Sequence, residues 1–412
     1  MKAQRVEFPG YDGSLLSARL DLPTTPPRAY ALFAHCFTCG KDVLAASRIS
    51  AALNAQGIAV LRFDFTGLGM SEGEFANTNF SSNVTDLVRA ADFLRERYTA
   101  PTLLIGHSLG GAAVLSAAHD IAEVRAVVTL GAPSEPLHVT RQLGDDTLAK
   151  LDTEREVGVI LAGRPFRIQR QFLDDLKSQH LRERITSLRC ALLVMHAPLD
   201  EVVAIDQARR IFEVARHPKS FVALDGANHL LTGRVHAAYA AHVMAAWVAP
   251  YLPEQAARPA LAAGRVCVTE SGAGRYTQLV QAGRHHLLAD EPTSVGGDDA
   301  GPGPFDFLLA ALGACTTMTL RMVAERKGWP LAPIEVTLAH RHIHANDCAD
   351  CESTDGKVLE IDRTIRLPSS LEPAMQQQLL EIADRCPVHR ALSGEIKVRT
   401  RAIEDDAPGT PE

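Results

Sequence analysis

The sequence predicts two folded modules in tandem: an α/β module with a parallel sheet covered on both faces, then an α+β module with a central helix and antiparallel strands. Three observations predict this. Up to about residue 250, short continuous apolar runs alternate with amphipathic stretches, the pattern of strands buried on both faces. Beyond residue 264 the order becomes strands, one long apolar helix, and more strands. Between the two, residues 253–263 are rich in proline and alanine and suit a short connector. A chain of 412 residues is long enough to bury both cores.

The first module, residues 1–252, opens with Val6-Glu7-Phe8, the turn residues Asp12-Gly13-Ser14, and an alternating run over 16–20, which together read as an antiparallel hairpin. Apolar runs at 29–34, 58–63, 102–105, 126–129, 191–196 and 220–224 are the expected strands. Residues 47–56 and 84–97 carry helical periodicity. Residues 137–188 interrupt the alternation: they are charged, and they separate two strands by more than a usual crossover. A cap over one end of the sheet is the expected identity.

The second module, 264–404, begins with strands at 265–269, 276–282 and 286–289. A glycine-rich loop over 296–303 and a long helix over 305–326 follow. Strands at 335–344 and 358–367, a helix over 372–383 and a last strand at 394–400 complete it. A polar tail, 405–412, closes the chain.

Composition narrows the function. The chain is 46% hydrophobic and 22% charged, with net charge −7, which gives no footprint for nucleic acid or anionic lipid. No apolar run approaches the roughly 20 residues that span a bilayer. The amino terminus has charge but lacks the apolar core of a signal peptide. The expectation is a cytoplasmic protein with neither nucleic acid nor membrane as partner. Eight cysteines are too sparse for a disulfide scaffold, so most are expected reduced. Three pairings stand out: Cys36 with Cys39, Cys348 with Cys351, and the distant Cys315 with Cys386. The first pair reads as two ordinary small side chains, with a disulfide closing the turn as the alternative.

Gly106-His107-Ser108-Leu109-Gly110 directly follows a buried-strand run and precedes the small-residue helix Gly111-Ala112-Ala113-Val114. In Gly-x-Ser-x-Gly the glycines make room for a sharp strand-to-helix turn that projects the serine hydroxyl above the sheet. Asp200 follows the strand ending at His196, and His229 follows the strand ending at Leu224. In that order Ser108 attacks a carbonyl, His229 takes its proton, and Asp200 fixes the imidazole tautomer. Asp206 and Asp225 are rival acids. The developing oxyanion needs backbone N–H donors: Leu109 is one, and Phe37, in the turn after the strand ending Ala34-His35, is the second. Hydrolysis of this kind needs no cofactor, and a small ester or acyl compound is the expected substrate.

These residues resemble the α/β-hydrolase family over about residues 1 to 250, and the resemblance implies an α/β hydrolase fold with a small cap. The run from Arg62 to Gly73 is similar to that family's loop after the next strand. One departure is His35-Cys36, where family members commonly read His-Gly. In the cap, Arg164-Pro165-Phe166 and Phe172 are expected, by analogy, to line an acyl pocket.

The second half offers a cysteine pair instead. Cys315 sits in Ala310-Ala311-Leu312-Gly313-Ala314-Cys315, answered by Cys386-Pro387-Val388-His389. With Pro304-Phe305-Asp306-Phe307 ahead of them, these segments resemble the family of osmotically inducible proteins and organic hydroperoxide reductases. The resemblance implies that Cys315 reduces ROOH to ROH and becomes a sulfenic acid. Cys386 then condenses with it into a disulfide, which an external dithiol reduces. It also implies an intertwined homodimer through this domain. Hydroperoxide reductases of the family carry a glutamate directly after the proline; this chain has Phe305 there and Asp306 one residue later. Asp306, and Arg275 as the nearest arginine, are the thiol-activating candidates. His342, His344, Cys348 and Cys351 have the residue types for tetrahedral zinc, but a non-catalytic loop is the simpler reading, so no metal is assigned.

The leading expectation is a serine carboxylesterase fused to a thiol-redox domain. Two alternatives remain: organic hydroperoxide reduction as the main activity, or a second module that only dimerises or binds a small ligand.

Overall fold

The computed structural model describes residues 2–161, 163–253, 259–272, 274–329, 331–345, 356–368 and 371–402. The Asp12-Gly13-Ser14 turn joins β1 (Lys2–Pro9) to β2 (Leu15–Leu22) as an antiparallel hairpin. Six more strands extend the same sheet: β3 (Ala29–Ala34), β4 (Ile58–Phe63), β5 (Leu103–His107), β6 (Ala126–Leu130), β9 (Ala191–His196) and β10 (Lys219–Ala223). The order is β1-β2-β4-β3-β5-β6-β9-β10, parallel from β4 to β10 and antiparallel at the hairpin.

The unbroken apolar strands are buried because both faces are covered. Along β3 and β5, Leu32, Ala34 and Leu104 join one cluster with Leu87, Ala91 and Val114. That face carries α2 (Phe80–Arg97) and α3 (Leu109–Ala117). Ala31, Phe33, Leu103 and Ile105 point the other way, to Ile49, Ala241 and Met244 on α1 (Leu44–Asn54) and α8 (Arg234–Val248). Each fully buried large side chain contributes about 1.5–3 kcal/mol. All nine residues of α3 are buried, which explains why its sequence carries no charge.

The segment between β6 and β9 is the expected cap. It holds α4 (Asp145–Thr153), the hairpin β7 (Glu156–Leu161) with β8 (Arg164–Gln169), α5 (Arg170–Ser178) and α6 (Leu181–Thr186). The charge pattern concealed the hairpin, because β7 buries only alternate residues. After β9, α7 (Ile205–Val214) leads to β10.

The chain divides into two compact units: residues 1–288 with 293–300, and residues 289–292 with 301 onward. The strands β11 (Val266–Glu270), β12 (Gln278–Ala282) and β13 (His285–Ala289) form one small sheet. Nearly all of that sheet is counted with the first unit rather than with the helix that follows. The second unit contains α9 (Pro304–Lys327), the antiparallel pair β14 (Glu335–His344) and β15 (Lys357–Arg366), then α10 (Pro373–Ala383) and α11 (Pro387–Leu392). Leu320, Leu371, Leu379 and Ala383 form its small core.

Two expectations fail here. Residues 394–400 form no strand: Ile396 and Val398 alternate as a strand would but stand exposed, unpaired with any described strand. Among the described helices, α9 is long and apolar enough to cross a membrane by length and composition, contrary to the expectation that no such run exists; apolar core helices of soluble proteins meet the same criterion.

Candidate active site

Ser108 occupies the turn between β5 and α3 with φ +54° and ψ −124°, a region costly for a residue with a Cβ and held only when its surroundings fix it. The fixing is visible. The Ser108 amide donates to the Leu130 carbonyl at 2.8 Å, and the flanking glycines let the backbone close on itself. A Cβ on Gly106 would lie 2.3 Å from the Gly110 oxygen; one on Gly110 would lie 2.4 Å from the His35 oxygen and 2.5 Å from that of Ala34. The two motif glycines are therefore required by backbone contact.

Asp200 and His229 meet as expected: His229 Nδ1 is 2.7 Å from Asp200 Oδ2. The other carboxylate oxygen accepts the amides of Val202 and Val203, each at 2.9 Å. Burial alone would raise the Asp200 pKa. The His229 hydrogen bond, the two amides and the imidazole charge outweigh it and hold the carboxyl below its ordinary value. Gly131, next to the Leu130 that anchors Ser108, touches both partners: a Cβ there would be 3.2 Å from Asp200 Oδ2 and 3.2 Å from His229 Nδ1. Ser108 and His229 are not hydrogen-bonded to each other in this structure. The rival acids fall away, since Asp206 is bound by Arg209 and Arg210 at the surface and Asp225 is exposed.

His107 holds the His229 backbone. Its Nε2 is 2.7 Å from the His229 carbonyl oxygen, so that nitrogen carries the proton and donates. Burial and the neighbouring His229 push its pKa down to about 4, keeping it neutral where a general base would operate. His196 is buried behind Asp200, with Nε2 2.7 Å from the Val203 oxygen and 3.7 Å from Asp200 Oδ2.

Two backbone amides are the candidate oxyanion donors. The amides of Leu109 and Phe37 have no hydrogen-bond partner among the described residues. The contact of Gly110 with His35 brings the turn after β3 against the start of α3. Here the reading of Cys36 and Cys39 as separate thiols is corrected: the two are joined by a disulfide. The bond spans Phe37 and Thr38, and Thr38 adopts φ +63°. Charge holds the turn from below. Asp64 accepts the Lys41 amide at 2.6 Å and its ammonium at 2.5 Å. The buried Arg62 pairs with Asp21 at 2.7 Å and also donates to the Lys41 carbonyl. Sequence reading passed over Lys41, because nothing local marks a buried ammonium.

The cap reaches this turn. Arg164 donates to the Thr38 carbonyl, and Phe172 stacks on Phe37 with centroids 5.7 Å apart. Phe75 bridges Phe37 at 5.8 Å and Phe166 at 4.9 Å. Beside Phe75 and Phe166 opens a cavity of about 570 Å³, walled also by Val159, Ile160 and Pro165. None of Ser108, Asp200 and His229 lines it. Phe166 lines this cavity, whereas Phe172 packs directly on the turn that carries Phe37.

In the second unit, Cys315 and Cys386 are brought together by one turn: the Val388 amide is 3.4 Å from Cys315 Sγ, and the His389 amide is 3.4 Å from Cys386 Sγ. Cys386 is fully buried and Cys315 only partly. The expected activators have other partners: Asp306 accepts the Gly303 amide at 2.9 Å and caps α9, and the Arg275 guanidinium stacks on the Tyr276 ring. The arginine near the sulfurs is Arg363, on β15, which sequence reading missed because it sits 23 residues before Cys386 on a strand with no motif. It donates to Thr316 Oγ1 at 3.1 Å and to Asp384 at 2.5 Å, and Thr316 Oγ1 is 3.8 Å from Cys386 Sγ. Burial would raise the Cys386 pKa. The His389 amide, Thr316, Cys315 and the Arg363 charge outweigh it and lower the thiol's pKa.

His342 and His344 share a face of β14, and His342 packs edge-on to Phe305. Cys348 and Cys351 lie outside the described residues. Among the described residues no cluster has the makings of a metal site.

Comparison with known proteins agrees with this architecture. Residues 25–144 match the family described as serine aminopeptidase, S33, and residues 296–401 match the OsmC-like proteins. The crystal structure of an esterase domain from Rhodothermus marinus is 49% identical, with TM-score 0.51, covering 61% of this chain and 100% of that one. Est1E from Butyrivibrio proteoclasticus, solved with ferulic acid, shares the fold at 20% identity and TM-score 0.52, over 60% of this chain and 99% of that one. Mouse α/β hydrolase domain-containing protein 10 does so at 18% identity and TM-score 0.51, over 60% and 99%. No curated protein matches significantly. The chain belongs to the α/β-hydrolase family through its N-terminal part, an esterase-type hydrolase, and ends in an OsmC-like domain.

Proposed function

We propose that the chain is a serine carboxylesterase. Ser108 attacks the ester carbonyl, and His229 removes the hydroxyl proton and returns it to the departing alcohol. The amides of Phe37 and Leu109 bind the oxyanion. Water activated by His229 then releases the acid and restores Ser108. The observation that carries this reading is the Asp200–His229 pair beside a Ser108 held at positive φ. The aromatic group of Phe37, Phe75, Phe166 and Phe172 favours an apolar acyl or alcohol moiety. The test is hydrolysis of short p-nitrophenyl esters by the intact chain and by Ser108→Ala, whose kcat is expected to fall by about 10⁴ or more. Equal turnover by the two proteins would reject it.

A second activity is favoured by the shared turn of Cys315 and Cys386: reduction of an organic hydroperoxide at Cys315, disulfide formation with Cys386, and regeneration by an external dithiol. The homodimer belongs to the same reading. Met318, Met322, Ile396 and Val398 leave apolar surface uncovered on the second unit, and a second copy would cover it. Stoichiometric loss of cumene hydroperoxide, abolished in Cys315→Ser and retained in Ser108→Ala, tests the activity. Sedimentation tests the dimer.

A further inference from the structure

The two sulfurs of the second unit are not equivalent. Cys386 is fully buried, whereas Cys315 is partly open. Among the described residues, a charged relay stands behind Cys386. Asp384 holds Arg363, the guanidinium donates to Thr316 Oγ1, and Thr316 faces Cys386 Sγ. Arg363 is pinned further by the Ala383 carbonyl at 3.2 Å, and its side chain is 12% exposed, so its charge is weakly screened. The Thr316 hydroxyl donates to the Leu312 carbonyl at 2.8 Å. A thiol at Cys386 can donate to Thr316; a thiolate can instead receive the hydroxyl proton once it turns away from Leu312. The relay therefore accommodates a negative sulfur at Cys386.

We propose that Arg363, held by Asp384, makes Cys386 the departing thiolate when a Cys315–Cys386 disulfide is reduced, so that the external dithiol attacks Cys315. This rests on the thiol-redox reading above. The dithiol's thiolate forms a bond to Cys315 Sγ. The Sγ–Sγ bond breaks, and its electron pair leaves on Cys386. The second thiol of the reductant, losing its proton to solvent, then attacks the mixed disulfide. Cys315 leaves as thiolate and the reductant departs as a disulfide. Two electrons pass from dithiol to protein. Exchange is faster when the leaving thiol has the lower pKa and depends on which sulfur can be reached; both conditions select the same direction. Arg363 acts through Thr316 and is a positioning residue.

The experiment uses the full chain oxidised with diamide, so that disulfide formation does not depend on hydroperoxide chemistry. Glutathione, quenched with iodoacetamide, should be found on Cys315 by peptide mass, with Cys386 carbamidomethylated. Arg363→Gln should slow reduction by dithiothreitol several-fold to roughly tenfold, because the departing Cys386 thiolate loses the guanidinium charge behind it. In a Cys315→Ser background it should move the alkylation profile of Cys386 to higher pH. Arg363→Lys should recover most of both effects. Thr316→Val, which keeps the volume, should slow reduction several-fold and guards against a folding defect in the arginine variants. Glutathione on Cys386, or an unchanged rate and pH profile in Arg363→Gln, would overturn the assignment, as would no disulfide under diamide. If diamide forms the disulfide and cumene hydroperoxide does not, the peroxide reading falls while the exchange assignment stands.

Discussion

Replacing Asp200 by asparagine tests the acid–base assignment with almost no change in shape. The outcome follows from the oxygen that does not face His229. Asp200 Oδ1 accepts two amides, from Val202 and Val203, so the carbonyl oxygen of an asparagine must occupy that side. Its NH₂ then stands where Oδ2 was and donates to His229 Nδ1. The imidazole is forced to carry its proton on Nε2, the nitrogen that should receive the Ser108 proton. In serine hydrolases this tautomer error costs about 10⁴ in kcat, roughly 5 kcal/mol of transition-state stabilisation. The side chain is buried and the volume conserved, so the thermal midpoint should shift by only a few degrees. The assay is p-nitrophenyl ester hydrolysis at neutral pH, with circular dichroism to verify folding. A folded Asp200→Asn protein losing less than tenfold would refute the argument.

Three further perturbations act on other parts of the fold. Gly110→Ala places a Cβ 2.4 Å from the His35 oxygen; overpacking of this kind costs about 1–3 kcal/mol, and a denaturant titration should show that loss together with a fall in kcat as Phe37 is displaced. Reducing the Cys36–Cys39 bond frees a four-residue loop, which chain entropy values at about 2 kcal/mol; thermal unfolding should fall and ester turnover should drop with it, while the double Cys36→Ala/Cys39→Ala protein should ignore the reductant. The buried Asp86, which accepts the Tyr11 and Thr66 amides, has its pKa raised to about 6 because burial outweighs those hydrogen bonds. The native state then holds its proton more tightly than the unfolded one. This group's contribution is therefore complete below about pH 4 and is lost as pH rises towards 6, by up to about 3 kcal/mol. Asp86→Asn should flatten that part of the stability profile measured by denaturant titration.

Much of the first unit was legible because its signals are local. Continuous apolar runs marked the strands to within a residue or two, and Gly106-His107-Ser108-Leu109-Gly110 marked the turn whose glycines prove to be in backbone contact. Asp200 and His229 were found by their place after successive strands. What escaped reading depends on contacts between distant residues. Lys41 is identified only by its burial against Asp64, and Arg363 only by its approach to Thr316 and Cys386. The Cys36–Cys39 bond was the less favoured reading, because spacing alone does not say whether a turn brings two sulfurs together. The pattern of residues 394–400 promised a strand, but alternation names a face and not a partner.

Ser108 is the nucleophile of the proposed ester hydrolysis. Intact-mass spectrometry after incubation with a fluorophosphonate reads this directly. One adduct per chain is expected, located on the peptide containing Ser108, absent from Ser108→Ala and strongly slowed in His229→Ala. A well-folded protein that takes up no adduct, or takes it up on another residue, would contradict the account.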